Sequence, residues 1–278
     1  MAFRHRASAI FAVAPLVVAP GLSAQTVHSL PADDLPLSGA PSELFSIGAL
    51  EGEAWEVLSG VRGVAFDDDA NLYVLDSDAR VLKFGRDGEF VAQIGRKGPG
   101  PGEINRPLAM AVGDEGRVVV ADPSAGYHMF GPDGEFRHTI RPDAPAFASR
   151  VVLSGDAVIV PGGTRAMMQA GRSGGGLPVF RLPLRPDAGV EVIHEADVPT
   201  IASSAEPAGG GQTRFTFRRP PAYSPTLRLA GVSGTDVALV SGGDWTIDVL
   251  SATGDVTTTL ARPLRARGSN DRDREVLE

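Results

Sequence analysis

An all-β fold of repeated four-stranded antiparallel units is what this sequence predicts. Three observations lead there. Val61 to Ile94 aligns without a gap on Pro107 to Ile140, an offset of 46 residues from 61 to 107. The chain is rich in turn formers, 34 Gly and 22 Pro in 278 residues, which suits many short strands joined by tight turns. Each copy also divides into four short apolar runs separated by polar turn signals. Four meandering strands per unit of about 45 residues is the size of a propeller blade.

The chain opens on a segment to be set apart. Arg4, His5 and Arg6 form a basic start, Ala9 to Ala19 an apolar core, and Leu22-Ser23-Ala24 a small-residue cleavage site. This is a signal-peptide pattern over residues 1–24, so export to the periplasm or beyond is expected, with Gln25 as the mature N-terminus. The apolar run is too short to span a bilayer, and Pro15 interrupts it. Residues 25–43 read as a linker. Leu44 to Gly48 (LFSIG) matches the end of a blade's fourth strand, Gln93-Ile94-Gly95, but no first three strands precede it. A closed propeller completes such a strand from the C-terminal end, whereas here, with only four further blades, it is expected to be a poorly supported strand of an open arc.

The first unit spans 61–94. Val61 to Phe66 is its first strand and Asp67 to Ala70 a polar turn. Asn71 to Leu75 is continuously apolar after its first residue, as in a sheet covered on both faces. Asp76 to Ala79 form a loop, and Arg80 to Phe84 the third strand. Gly85-Arg86-Asp87-Gly88 is a hairpin, because Asp-Gly supplies the positive φ such turns require, and Glu89 to Ile94 is the fourth strand. The second unit, 107–140, repeats Ala65 as Ala111, Val74 as Val120, Asp76 as Asp122, Phe84 as Phe130 and the block Asp87 to Phe90 as Asp133 to Phe136.

Two looser units follow, at about 147–195 and 224–260. The third uses Asp156 to Gly163, Leu177 to Leu182 and Val190 to His194; the fourth uses Leu227 onward, Val237 to Val240, Trp245 to Leu250 and Val256 to Leu260. The propeller thus spans 44–261. Gly171 to Gly176 and Ser203 to Pro221 read as loops, and 262–278 as a polar tail. Phe66, Val74, Phe84, Phe90, Val120, Phe130 and Phe136 are expected between blades.

The run Ile94-Gly95-Arg96-Lys97-Gly98-Pro99-Gly100-Pro101-Gly102-Glu103, then Pro107, a VVVAD strand and a Phe-x-x-Asp-Gly hairpin, resembles the NHL repeat. The mature chain is similar to the exported six-bladed propeller proteins related to it, closely over Val61 to Ile140. That resemblance covers protein binders, RNA binders, lyases and lactonases, so it implies a fold and not one function. Six blades would make this chain an incomplete ring of about four, short by on the order of 80–90 residues at this repeat length. Its end blades would then present bare apolar faces and self-associate. A small closed ring of four or five blades is the alternative.

Charge narrows the partners. Net charge is −8, and removing the leader leaves 24 basic against 34 acidic residues, −10. Nucleic acid is therefore disfavoured. The absence of Cys rules out disulfides and a lipid-modified N-terminal cysteine.

Most motifs read as structure. Asp67, Asp69 and Asn71 start like a calcium loop, but neither the Gly nor the closing Glu follows. Gly171 to Gly175 fits the G-x-S-x-G expression without the strand and helix a nucleophile elbow needs. His128 aligns with Leu82 and reads as a packing residue, while His138 and His194 fall on outer strands. No catalytic residue, metal ligand or cofactor is assigned. Asp76 and Asp122 end the second strands, where a carboxylate holds backbone N–H groups of a turn; alternatively they face a ligand beside Arg62, Arg96, Lys97, Arg106 and Arg150. Arg62 and Arg150 belong to innermost strands and face the channel in that reading.

The sequence thus favours an exported binding or scaffolding module over an enzyme, with a peptide, glycan, small anion or protein as ligand on the face of the inter-blade connections. A metal-dependent propeller hydrolase or lyase, with Ca²⁺ or Zn²⁺ in the channel, is the alternative. Expression of the full chain in a Gram-negative host should yield an exported protein whose mass and first residue correspond to Gln25; intact-mass spectrometry checks this.

Overall fold

The computed structural model describes residues 25–33, 39–40, 42–113, 115–143, 146, 149–163, 166, 169–170, 175–186, 188–198, 202–208, 212–218, 227–232, 234–241 and 246–263. The signal-peptide pattern, the G-x-S-x-G residues 171–174 and most of the polar tail lie outside them.

Four antiparallel four-stranded blades stand in a propeller arrangement. The first comprises β2 (Val61–Phe66), β3 (Leu72–Asp76), β4 (Arg80–Phe84) and β5 (Phe90–Ile94), after an N-terminal strand β1 (Thr26–Ser29). A connection holding the short pair β6 (Arg96–Lys97) and β7 (Glu103–Ile104) leads to β8 (Ala109–Val112), β9 (Val118–Asp122), β10 (Gly126–Phe130) and β11 (Phe136–Ile140). The third blade is β12 (Val152–Ser154), β13 (Ala157–Pro161), β14 (Leu177–Pro183) and β15 (Glu191–Ala196). A separate hairpin, β16 (Ala202–Ala208) with β17 (Gln212–Arg218), precedes β18 (Arg228–Gly231), β19 (Val237–Val240), β20 (Thr246–Leu250) and β21 (Val256–Ala261).

Burial follows position in the blade. Every residue of β9, β10 and β13 is buried, as in strands covered on both faces. The outer strand β11 keeps only Ile140 fully buried. The Asp-Gly hairpins form as their chemistry requires: Gly88 and Gly134 sit at φ 86° and 78°.

Apolar cores lie between blades. Tyr73, Leu75 and Val81 meet Val118, Val120 and Phe130. Val119, Ala121 and Tyr127 meet Val158, Val160 and Leu182. Ile159 and Val179 meet Leu229, Leu239 and Leu250. The innermost strands β2, β8, β12 and β18 succeed one another side by side around the axis.

The free face of the first blade is capped in part. Ile47, Trp55 and Leu58 pack on Val74, Leu82 and Phe84. Trp55 stacks on Phe90 at 5.1 Å and meets Phe84 edge-on at 6.1 Å. The Arg80 guanidinium fastens this segment by donating to the Ala54 and Val57 carbonyls, each at 2.7 Å. Gly48 lies against Leu58 as Gly95 lies against Ile104. The cap therefore repeats the connection between the first two blades with one residue more.

Four expectations need correction. Leu44 to Gly48 is not a strand; Ile47 packs as Ile94 does but finds no ladder partner. The edge strand is instead β1, within the expected linker, and it pairs parallel with β21 from Thr26↔Thr258 to Ser29↔Ala261. In place of a loop alone over Ser203 to Pro221, Ala202 to Arg218 holds a hairpin with seven paired positions. Phe66 is 60% exposed, because the cap covers the outer half of the blade face and stops short of the axial strand. Among the described residues no helix is long and apolar enough to cross a membrane.

Trp55→Ala should destabilise the protein by about 2 kcal/mol, below the cost of a fully buried aromatic because Trp55 is half-exposed. Urea unfolding of the two proteins measures it.

Candidate functional site

The innermost strands of all four blades line one cavity of about 630 Å³ on the axis, within the range of small-molecule sites. Its charged lining residues are Arg62, Arg150 and Arg228, from the first, third and fourth blades. Arg62 is the second residue of β2, Arg150 lies two residues before β12, and Arg228 opens β18. All three thus sit where the inter-blade connections deliver the chain to the axis. No acid joins them in the lining, and among the described residues none of the three side chains has a hydrogen-bond or ion-pair partner. A smaller recess of about 240 Å³ shares Arg62 and adds Arg106, Asn105 and Ser77.

Two buried carboxylates set the backbone of this rim. Asp122 has no exposed surface. Its Oδ2 accepts the Asn105 and Arg106 N–H groups at 2.7 and 2.9 Å, and its Oδ1 accepts the Ser124 N–H and hydroxyl at 2.8 and 2.5 Å. Asp76 repeats the arrangement one blade earlier. Its Oδ1 accepts the Gly60 N–H at 3.0 Å, two residues before Arg62, and its Oδ2 takes two bonds from Arg80 at 3.0 and 2.9 Å. Burial alone would raise both carboxyls, but these hydrogen bonds outweigh it and hold them below the usual carboxylate range.

Beside the second blade lies another cavity, of about 600 Å³, formed where loop 98–101 folds back toward Ser124, His128, Thr139 and Arg141. The His128 ring is 3% exposed. Its Nδ1 meets Thr139 Oγ1 at 3.1 Å, and its Nε2 has no hydrogen-bond partner, lying 3.8 Å from Asp122 Oδ2. Burial, aided by the charge of Arg141, pushes this imidazole below its ordinary value of 6.5 against the pull of Asp122. The Ser124 hydroxyl donates to a carboxylate and not to an imidazole, so the nucleophile-to-base contact of a hydrolytic triad is not formed there.

The structure divides the seven residues singled out in the sequence. Arg62, Arg106 and Arg150 reach the rim. Asp76 and Asp122 do not face it; they are buried and position it. Arg96 pairs with Glu103 at 2.9 Å, and Lys97 is exposed on the connection. Arg228 escaped the sequence reading, although it follows directly on Leu227, where the fourth unit begins. Asp67 closes its own turn, accepting from the Asp69 and Asn71 N–H groups and the Tyr73 hydroxyl. Among the described residues no three His, Asp or Glu side chains gather in a way that could hold a metal ion.

A protein from Bacteroides fragilis described as exported superposes with a TM-score of 0.53 at 18% identity, over 86% of this chain and 61% of its own. The shared fold is the β-propeller. The chain spans 61% of that protein's length. A streptogramin B lyase aligns at a TM-score of 0.39 and 11% identity over 73% of this chain and 68% of its own. BamB from Moraxella catarrhalis aligns at 0.38 and 17% over 76% and 51%. With the Bacteroides fragilis protein, at 18% identity, the likeness is one of fold. No family model and no curated relative matches the chain.

The depressed imidazole makes a pH prediction. The unfolded chain takes up the His128 proton near pH 6.5, and the folded protein only at lower pH, so stability falls as pH drops through that window. His128→Leu, the residue that the first blade carries as Leu82, should remove this slope below about pH 6.5. The Asp76 and Asp122 contributions should persist in the variant and be lost only below their unfolded value of 3.8. Melting temperatures across pH 4–8 for both proteins test it, and parallel curves would count against the assignment.

Proposed function

We propose that this chain is an exported, non-catalytic binding module of the NHL-like propeller type, which holds a small anion at the mouth of its axial channel. The observation that carries the reading is the set of three arginines, one from each of three blades, sharing a cavity with no acid and no partner of their own among the described residues. In a chain of net charge −8, such a convergence is not a by-product of composition. Unpaired guanidinium groups suit carboxylate and phosphate because their donors form a planar fork. A metal-dependent hydrolase or lyase needs the opposite lining, acids or imidazoles turned to the channel. Export is the reading supported by the signal-peptide pattern of residues 1–24.

Melting of the mature protein against a panel of carboxylates and phosphates tests the proposal. At a ligand concentration about 100 times Kd the gain is about 2.7 kcal/mol, or roughly 5–10 °C for a protein of this size. The triple variant Arg62→Gln/Arg150→Gln/Arg228→Gln should fold, since all three side chains are exposed, and should lose the shift. Equal stabilisation of both proteins, or of neither, defeats the reading.

A further inference from the structure

The anion-binding reading says what the mouth of the channel holds; the walls say what the rest of the ligand is. Each innermost strand is the end strand of its sheet: β2, β8, β12 and β18 all have a strand neighbour on one side only. Their other edges converge on the axial cavity. An end strand presents a row of backbone N–H and C=O groups without ladder partners, so four such rows meet around one space. Among the described residues no backbone hydrogen bond joins these strands to one another.

Small residues leave stretches of three of those edges open between larger apolar side chains such as Val64, Met110, Val152 and Leu229. The walls carry Gly63 and Ala65 on β2, Ala109 and Ala111 on β8, and Ala230 and Gly231 on β18. Residues this small let a ligand approach the main chain closely. A Cβ added at Gly63 would meet nothing within 4 Å, so space is open beside that strand. Apart from the arginines, Ser149 is the one polar side chain of the lining. The polar character of the walls is therefore largely main-chain, and it comes from several directions at once.

An extended peptide pairs with one strand edge and leaves the other three unmet. An alkyl acid satisfies the arginines and leaves every exposed amide and carbonyl without a partner, which costs free energy once water is expelled. A compact ring bearing several hydroxyls meets both needs, because each hydroxyl donates and accepts and the groups point outward all round. We infer that the channel takes a small polyhydroxylated anion, a sugar acid or sugar phosphate of one or two rings, with its charge at the arginines and its hydroxyls on the strand edges. This rests on the anion-binding reading and adds the class of ligand.

Calorimetric titration of the mature protein with three probes separates the two claims. Galacturonate carries both the charge and the hydroxyls, hexanoate the charge alone, and galactose the hydroxyls alone. Each hydroxyl bonded to the walls contributes about threefold to tenfold in affinity, so galacturonate should bind at least tenfold more tightly than either partial probe. Ala230→Leu, at an exposed position of the lining, should fill the approach to β18 and reduce galacturonate affinity about tenfold or more. Galacturonate and hexanoate of equal affinity would overturn the sugar-acid inference and leave the anion site standing. Galactose equal to galacturonate would overturn both, and so would the absence of binding by either acid.

Discussion

A carboxylate that is fully buried has to be matched on both oxygens, and in this protein the matching fixes the geometry of the channel rim. Asp122 accepts four hydrogen bonds, two from the chain entering its blade and two from the turn after its own strand. An asparagine could not substitute without penalty, since its amide nitrogen would be driven against an N–H donor. Asp76 does the same for the chain before Arg62 and passes the constraint outward through Arg80 to the capping segment. One interaction thus couples the inner strand of a blade, its rim and, in the first blade, its cover. The third blade has Gly162 at this place, bonded to the Pro178 carbonyl, so its entry is held by other means.

The repeat made the blades legible because blade-forming information is local. The Asp-Gly hairpins, the buried second and third strands and the paired phenylalanines all lie within one unit, and each appears twice in register. The resemblance of LFSIG to the end of a blade was informative about packing and misleading about pairing. Ile47 and Leu58 fill the space that Ile94 and Ile104 fill one blade later, and Trp55 supplies the bulk there. What was not legible depends on partners far along the chain. Thr26 to Ser29 has no pattern that announces a strand until β21 is beside it; Gln25 finds the Thr259 hydroxyl 234 residues away. The hairpin of 202–218 lies in a stretch whose Gly and Pro content signals turns.

The candidate site was legible in the same uneven way. Arg62 and Arg150 could be placed because one lies on an innermost strand and the other just before one, and a propeller turns those toward its axis. Arg228 occupies the corresponding place in a unit too degenerate to align by eye. Asp76 and Asp122 were conspicuous because they recur, but recurrence reported a structural duty, and only burial could distinguish that from contact with a ligand. The cavity beside His128 exists because loop 98–101 folds back on the outer strand, a tertiary fact with no trace in spacing.

The parallel pairing of β1 with β21 has a mechanical meaning. The chain enters β1 at one end of the pair and leaves β21 at the other, so tension applied between the two ends pulls the strands lengthwise past each other. The ladder from Thr26 to Ala261 and the Arg262 bonds to the Pro31 and Ala32 carbonyls are then loaded together. An antiparallel pair loaded from one end would unzip bond by bond. The two strands are fastened as a lap joint: firm along the strand axis, and open only to a force that peels one edge away.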